Sequence, residues 1–195
     1  MTKTTTVLKT SFLVSLLAFF ISCNPIENKT LSNSMLVIVS LTGSDIEGNT
    51  ANYLQSDVLT SDSSVTADPA TVTLKAQLLN PNPANGASQF NSIMVTRYAV
   101  SYFRVDGKNT EGVDIPYSFE GHMSALIEID EVVEVSFIIV REVAKLEPPL
   151  IDLHEGRGDG VLQVRAKVDF YGHDLANKTV KATGYLTIFF ANYAD

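Results

Sequence analysis

The sequence predicts an all-β protein: a two-sheet antiparallel β-sandwich of immunoglobulin-like type, preceded by a cleaved signal peptide and a short tether. Three observations favour this fold. Apolar residues recur with a period of two along most of the chain, turn-forming residues separate the apolar stretches, and no long amphipathic helix occurs between them. With no Trp and one Cys, the sandwich would lack the Cys and Trp core of true immunoglobulin domains.

Size and composition indicate one folded domain. The chain has 195 residues, of which 45% are hydrophobic and 18% charged, and this balance excludes a disordered polymer, a collagen-like fibre and a polytopic membrane protein. Its net charge is −8, and no local run of Lys and Arg compensates for it. Because neutralising phosphates needs clustered cations, the sequence predicts no nucleic-acid partner.

The first half of the domain predicts three strands in order. The stretch 35–42 is almost continuously apolar, which is typical of a strand buried on both faces. Residues 71–79 alternate between apolar and polar side chains, as a half-buried strand does. Between residues 93 and 105 apolar side chains occupy alternate positions up to Val95 and again from Tyr98, but with the opposite parity. This change of parity predicts a bulge or a change of sheet.

The next segment predicts two more strands and a crossover. The inward faces of these strands are Met123, Ala125, Ile127 and Ile129, then Val133, Val135, Phe137 and Ile139. In the segment 141–156 the pair Pro148-Pro149 interrupts any β-ladder. We therefore expect a crossover with one helical turn from residue 149 to residue 153.

The last third predicts a long β-hairpin, because residues 162–170 and 180–190 both alternate and a polar turn separates them. Matching the apolar faces by parity predicts the register. The predicted pairs are Phe170 with Val180, Val168 with Ala182 and Val164 with Leu186, and on the outer face Asp169 with Lys181 and Arg165 with Tyr185.

The N-terminus is typical of an exported protein. Lys3 and Lys9 precede an apolar run over residues 11–22. A membrane-spanning helix needs about 17–25 apolar residues, so this shorter run favours a cleaved signal peptide over residues 1–22.

The run ends in Phe20-Ile21-Ser22-Cys23, which resembles the lipobox of bacterial lipoproteins, with Phe20 where Leu is usual. The resemblance implies that a peptidase cuts before Cys23 and that its thiol carries diacylglycerol. The residue after the cysteine is Asn24 and not Asp, which resembles the pattern of lipoproteins that are sorted to the outer membrane. Residues 23–34 would then be a lipidated tether and residues 35–195 the β-sandwich domain. An ordinary buried thiol at Cys23 is the alternative.

Two longer stretches extend the resemblance. They are VTRYAVSYFRVDGKNTEGVDIPYSFEG at 95–121 and VDFYGHDLANKTVKATGYLTIFFANY at 168–193. Together with the lipobox they are similar to a group of uncharacterised envelope lipoproteins of Gram-negative bacteria. That group implies a small exported β-sandwich and no particular activity. The triplet Asn80-Pro81-Asn82 is similar to late-embryogenesis-abundant type 2 domains, although a simple turn explains it as well.

Residues able to do chemistry are scattered along the sequence. The candidates are His122, His154 and His173, the carboxylate pair Asp130-Glu131, and Asp152 with Glu155. The histidines lack the short spacing of a zinc site, and no nucleophile elbow occurs. The sequence therefore predicts no catalytic residue, no metal and no cofactor.

Two loops contain short motifs that turn formation accounts for equally well. The oxygen-rich loop 106–114 does not match the spacing of a calcium-binding EF-hand, and its Asp106-Gly107 pair favours a turn. Arg157-Gly158-Asp159 is the tripeptide that integrins recognise, yet a flexible turn also accounts for its glycine-rich setting.

The sequence thus predicts a non-enzymatic protein that is lipid-anchored to the cell envelope, at the outer membrane, and that binds or scaffolds another envelope component. The expected recognition loops are 106–117 and 147–160, because loops on a rigid sandwich commonly carry binding. Two alternatives stay open. One is a surface adhesion module using residues 157–159, and the other is a hydrolase whose site would include His122 or His154.

Overall fold

The computed structural model describes residues 32–60, 62–82, 86–154 and 160–193. The predicted signal peptide, the lipobox with Cys23 and most of the tether lie outside these residues, as do Glu155 and Arg157-Gly158-Asp159. Within the described residues no helix is long and apolar enough to cross a membrane. Residues Ser32–Asp195 form a compact unit, so the domain begins three residues before the predicted boundary.

The domain consists of two β-sheets. The four-stranded sheet has the order β2-β1-β4-β7, with β1 (Ser34–Ser44), β2 (Thr50–Ala51), β4 (Asp68–Leu78) and β7 (Val132–Val140). The five-stranded sheet has the order β3-β9-β8-β5-β6, with β3 (Tyr53–Asp57), β5 (Ile93–Phe103), β6 (Phe119–Ile127), β8 (Val161–Asp174) and β9 (Thr179–Ala191). Short helices add a 3-10 turn (Gln89–Asn91), α1 (Glu142–Lys145) and α2 (Ile151–His154).

This order confirms the two-sheet sandwich and follows the immunoglobulin arrangement. Strands β1, β4 and β7 take the places of A, B and E, while β9, β8, β5 and β6 take those of G, F, C and C′. One pair departs from the antiparallel prediction, because β3 runs parallel to β9. After β1 the chain turns at residues 45–49 and crosses to the other sheet, which brings β3 alongside β9.

The core lies between the sheets and is built from the predicted period-two faces. Alternate residues of β5 and β8 are buried, and the register of β5 shifts between Val95 and Arg97, which confirms the predicted bulge. Three rings connect the two layers: Phe137 of β7 contacts Phe170 at 5.3 Å and Tyr98 at 4.9 Å between ring centroids. Edge-on contacts of this kind add specific attraction to the burial of apolar area.

The prediction that residues 35–42 are buried on both faces is wrong. Met35 and Val39 are exposed, and the register shifts between Ile38 and Ser40, where Val39 is the extra residue. The outer face of the four-stranded sheet has no second layer over it in the described part of the chain. Because apolar side chains occupy that uncovered face, the sequence pattern of β1 looks like that of a strand buried on both faces.

The hairpin β8–β9 has the predicted faces but a register shifted by two residues. Phe170 pairs with Ala182 and Val164 with Ile188. The turn explains the shift. The Asp174 N–H donates to the Lys178 backbone oxygen at 2.8 Å, and the Lys178 N–H donates to Asp174 Oδ1 at 2.8 Å. Asn177, at φ 63°, closes the resulting three-residue loop.

The two predicted outer-face contacts survive as diagonal neighbours. Lys181 Nζ lies 3.1 Å from Asp169 Oδ2, and the Arg165 guanidinium lies 5.4 Å from the centre of the Tyr185 ring. Diagonal neighbours on one sheet face are within reach of long side chains.

The crossover between β7 and β8 contains two short helices instead of one helical turn over residues 149–153. Helix α2 begins at Ile151, after the proline pair. The preceding helix buries Lys145, whose Nζ donates to the backbone oxygen of Asp57 at 2.7 Å and to Asp68 Oδ1 at 2.9 Å. The ion pair with Asp68 therefore connects the crossover to β4, and the hydrogen bond to Asp57 connects it to β3.

The last residues of the predicted tether already belong to the folded domain. Ser32 is buried, and its Oγ donates to Asp174 Oδ2 at 2.6 Å. Ser32 Oγ also accepts from the backbone N–H of Ser34, where β1 begins. The chain therefore enters the sandwich beside the β8–β9 turn.

Candidate functional site

A groove of about 510 Å³ lies at one end of the five-stranded sheet. The end of β5, the start of β8, one residue of β9 and the crossover form it. Its lining includes Phe103, Arg104, Asp106, Pro149, Asp152, Leu153, Gln163, Arg165 and Thr187. Loop 106–117 contributes Asp106 to this lining, and the described part of loop 147–160 contributes Pro149, Asp152 and Leu153. The structure therefore brings together residues that lie about 40 positions apart in the chain.

The β5 side of the groove is held in place by a charged turn. Arg104 donates to both carboxylate oxygens of Asp106, from Nε at 3.1 Å and from Nη2 at 2.6 Å. The side-chain hydrogen bond from Arg104 is the main cause that holds the pKa of Asp106 below its usual value. Gly107, at φ 83°, completes the predicted Asp-Gly turn. The loop then continues to Ser118 through a second turn, in which the Gly112 N–H donates to the Ile115 backbone oxygen at 2.8 Å, so the connection is longer than a tight hairpin turn.

The oxygen groups of this loop are engaged within the loop itself. Asp114 Oδ2 accepts from the Thr110 backbone N–H at 3.0 Å, and the Glu111 carboxylate accepts from the backbone N–H and hydroxyl of Ser118. Ile115 is buried and anchors the loop on the core. Hydrogen bonds to its own side chains and the buried Ile115 therefore define the shape of the loop.

The opposite side of the groove is formed by the crossover. Leu150 and Leu153 are buried, and the backbone oxygen of His154 accepts from Asn192 Nδ2 at 3.1 Å. Pro149 and Asp152 face the groove between these fixed points. The crossover thus presents an apolar wall with one carboxylate at its rim.

The groove opens onto the outer face of the five-stranded sheet, where cations and aromatic rings alternate. We call this surface the cation–aromatic face; its members are Arg97, Phe103, Arg165, Lys167, Asp169, Tyr171, Lys181 and Tyr185. Phe103 and Arg165 line the groove and also contact Tyr185, at 6.2 Å between ring centroids and 5.4 Å from guanidinium to ring. The groove and the face therefore form one continuous surface.

Tyr171 lies between two of the cations. The guanidinium of Arg97 lies 3.9 Å from the centre of its ring, and Lys181 Nζ lies at 5.0 Å. Both partners pair with Tyr171 across neighbouring strands, β5 and β9. Cation–π contacts of this geometry fix the direction of long, flexible side chains.

Asp169 organises the centre of the face. Its Oδ2 forms ion pairs with Lys167 at 3.3 Å and with Lys181 at 3.1 Å. Its Oδ1 accepts a hydrogen bond from the Thr183 hydroxyl at 2.6 Å. Burial alone would raise the pKa of Asp169. The hydrogen bonds from Thr183, Lys181 and Lys167 outweigh it and hold the pKa below its ordinary value. Asp169 is therefore ionised at neutral pH and keeps both lysines on this face.

The other candidates from the sequence lie apart from the groove or at its rim. His122 lies on β6, His173 on β8 and His154 in α2, three different elements. Asp130 lies in the turn before β7 and pairs with Lys75 at 3.2 Å. In the parts of the chain that the structure describes, no three His, Cys, Asp or Glu side chains are grouped so that they could hold a metal ion.

Sequence reasoning placed Asp169 with Lys181 and Arg165 with Tyr185 on the outer side of the hairpin, but it missed the rest of the cation–aromatic face because it considered charge runs along the chain. The cations come from three strands, and on β8 the positions Arg165, Lys167 and Tyr171 alternate with core residues. The signal that could have found the face was therefore the outward half of the period-two pattern on β8 and β9.

No protein-family model matches the chain, and no curated protein matches it either.

Proposed function

We propose that the chain is a non-enzymatic protein, lipid-anchored through Cys23 to the bacterial outer membrane, that binds or scaffolds another envelope component. One observation carries this proposal: Asp106 of loop 106–117 and Pro149, Asp152 and Leu153 of the described part of loop 147–160 line a single groove on a rigid β-sandwich. Concave sites built from loops on a fixed scaffold are the usual place for recognition.

The point where the chain enters the domain supports the same proposal. Ser32 is bonded to Asp174 at the C-terminal end of β8, whereas the groove is lined by residues at the start of that strand, including Arg165. Nine residues of strand separate Arg165 from Asp174, which is about 30 Å at ~3.3 Å per residue. An anchor upstream of Ser32 would therefore leave the groove on the side of the domain away from the membrane.

The tether would keep the domain close to the membrane surface. Eight residues lie between Cys23 and Ser32, and a flexible segment of that length spans about 16 Å on average. Confinement of this kind raises the effective concentration of a binder near a target in the same envelope. A lipid anchor and a groove on the far side suit a binding protein.

Site-specific photocrosslinking in the native host tests the proposal. With p-benzoylphenylalanine in place of Gln163, which lines the groove and is exposed, we expect a covalent adduct of higher mass in the envelope fraction. The matched control places the same group at Ser136, which is exposed on the outer face of the four-stranded sheet. Equal adducts at both positions, or an adduct at Ser136 alone, would show that the groove is not the recognition site.

A further inference from the structure

The cation–aromatic face concentrates positive charge on an acidic protein. Strands β5, β8 and β9 contribute four cations to this face, Arg97, Arg165, Lys167 and Lys181, against one carboxylate, Asp169. The edge strand β6 adds Glu120, which pairs with Arg97 at 3.0 Å, and the groove adds Asp152 and Asp106, of which Asp106 pairs with Arg104. Since the whole chain carries a net charge of −8, this segregation of charge favours an anionic partner for this face.

The cations are held in place before any partner arrives. Tyr171 fixes Arg97 and Lys181, and Asp169 fixes Lys167 and Lys181. Arg165 lies over the Tyr185 ring and makes no ion pair with any other residue that the structure describes. Such preorganised charges lose less side-chain entropy on binding than free lysines and arginines do.

The positions of the charges suit a linear partner. Arg165 and Lys167 are alternate residues of β8, so their backbones lie about 7 Å apart along the strand. Lys181 and Arg97 continue the positive charge towards the other end of β8, on either side of Tyr171. The row begins at the groove and follows the strand, which is the arrangement that a chain with regularly spaced anions would match.

The uncharged groups on the face favour a sugar polymer over a protein. On the outer sides of β8 and β9, the aliphatic side chains among the described residues are Val161, which is exposed and lies at the groove, and its partner Ala191, which is buried. Gln163, Thr183 and Thr187 offer hydrogen-bonding groups between the rings. Apart from its aromatic rings, the face presents few exposed apolar side chains for a protein partner to bury.

We infer that the groove and the cation–aromatic face bind an acidic polysaccharide, a sugar chain bearing carboxylates that runs from the groove along β8. The inference rests on the proposed function, because the polysaccharide would be the envelope component that the protein binds. Arg97, Arg165, Lys167 and Lys181 would face the carboxylates, and the threonines and Gln163 would face the hydroxyl groups.

Affinity electrophoresis of the full chain in detergent tests the inference, with polygalacturonate in the gel and uncharged dextran as the reference. Polygalacturonate is expected to retard the protein, and added salt to weaken the effect. The double variant R165Q/K167Q should bind about tenfold more weakly. K75Q/K178Q removes the same charge from β4 of the other sheet and from the β8–β9 turn, both outside the groove and the face, and should bind within about twofold of the original chain. Unchanged melting temperatures would show that both variants are folded.

Four outcomes contradict the inference. Equal weakening by both double variants would indicate general charge attraction, and retardation by poly-L-glutamate or single-stranded oligothymidine as strong as that by polygalacturonate would indicate another class of polyanion. If no acidic polysaccharide binds while Gln163 still crosslinks in the host, the inference fails and the proposed function stands. If binding and crosslinking are both absent, both proposals fail.

Discussion

Replacing Lys145 by methionine is expected to lower the free energy of unfolding by about 3–5 kcal/mol, because the Asp68 carboxylate, whose side chain is only 16% exposed, would lose its charged partner. Lys145 is fully buried, and its Nζ lies 2.9 Å from Asp68 Oδ1. Methionine keeps most of the side-chain volume, so the loss would come from the unpaired charge. Urea denaturation of the purified protein at neutral pH measures it.

Two control variants separate this effect from a general loss of charge. Lys75→Met removes a lysine that pairs with the exposed Asp130, and such a surface pair is worth at most about 1 kcal/mol. Adding Asp68→Asn to Lys145→Met removes the unpaired carboxylate and should recover part of the stability. A loss at Lys75 as large as that at Lys145 would contradict this explanation.

The same variant has an expected pH dependence. Burial raises the pKa of Asp68 above its ordinary 3.8, although the Lys145 charge and the Ser56 hydroxyl act in the opposite direction. A raised pKa means that the folded state binds the proton more tightly than the unfolded state does. The free energy of unfolding therefore falls as pH rises from the unfolded-state pKa of Asp68 to its higher folded-state pKa. Without Lys145 the pKa of Asp68 would rise further. The deficit of Lys145→Met should therefore be largest at neutral pH and shrink as pH falls, and a deficit independent of pH would contradict this explanation.

Phe170→Ala is expected to destabilise the domain by about 3–5 kcal/mol, because it removes a fully buried ring and leaves a cavity between the sheets. Phe170 contacts Phe137 edge-on at 5.3 Å, and Phe137 in turn contacts Tyr98. The substitution therefore also removes one aromatic contact between the two layers. The midpoint of urea denaturation should fall accordingly.

The matched control for Phe170 is Phe90, which lies in the 3-10 turn with more than half of its surface exposed. Phe90→Ala should change the free energy of unfolding by less than about 0.5 kcal/mol. If the two alanine variants were equally stable, the assignment of Phe170 to the core would be wrong.

The inward faces of the strands could be predicted because parity is a local property of the sequence. The phase change between Val95 and Tyr98 predicted the bulge in β5, and the alternation in β8 identified Phe170 as a core residue. Met35 and Val39 misled the same reasoning. Whether an outward face is covered depends on the rest of the fold, and an apolar side chain on an open face looks like a buried one.

The register of the β8–β9 hairpin could not be predicted from parity. Parity fixes which face each side chain occupies, and a shift of two residues leaves those faces unchanged. The actual pairing depends on the three-residue loop closed by Asn177 and on the hydrogen bonds between Asp174 and Lys178. The geometry of the turn therefore determines the register of the hairpin, which the alternation of the strands does not specify.

The candidate site was predicted in part. Asp106 and residues 149–153, from the two loops chosen as recognition loops, do line one groove, because connections at one end of a sandwich are neighbours in space. The ion pair of the buried Lys145 was missed, and so were the members of the cation–aromatic face other than the two contacts predicted within the β8–β9 hairpin. Each depends on residues from separate strands, such as Asp68 with Lys145 or Arg97 with Tyr171, and no local pattern joins them.

Mass spectrometry of the N-terminus, on protein purified from the membranes of the native host, tests most directly whether the chain is a lipid-anchored protein of the cell envelope. We expect a mature chain that begins at Cys23, with diacylglycerol on its thiol, and a Cys23→Ser variant that carries no lipid. A mature protein that retains residues 1–22, or one whose Cys23 thiol is unmodified, would contradict the proposed lipid anchor.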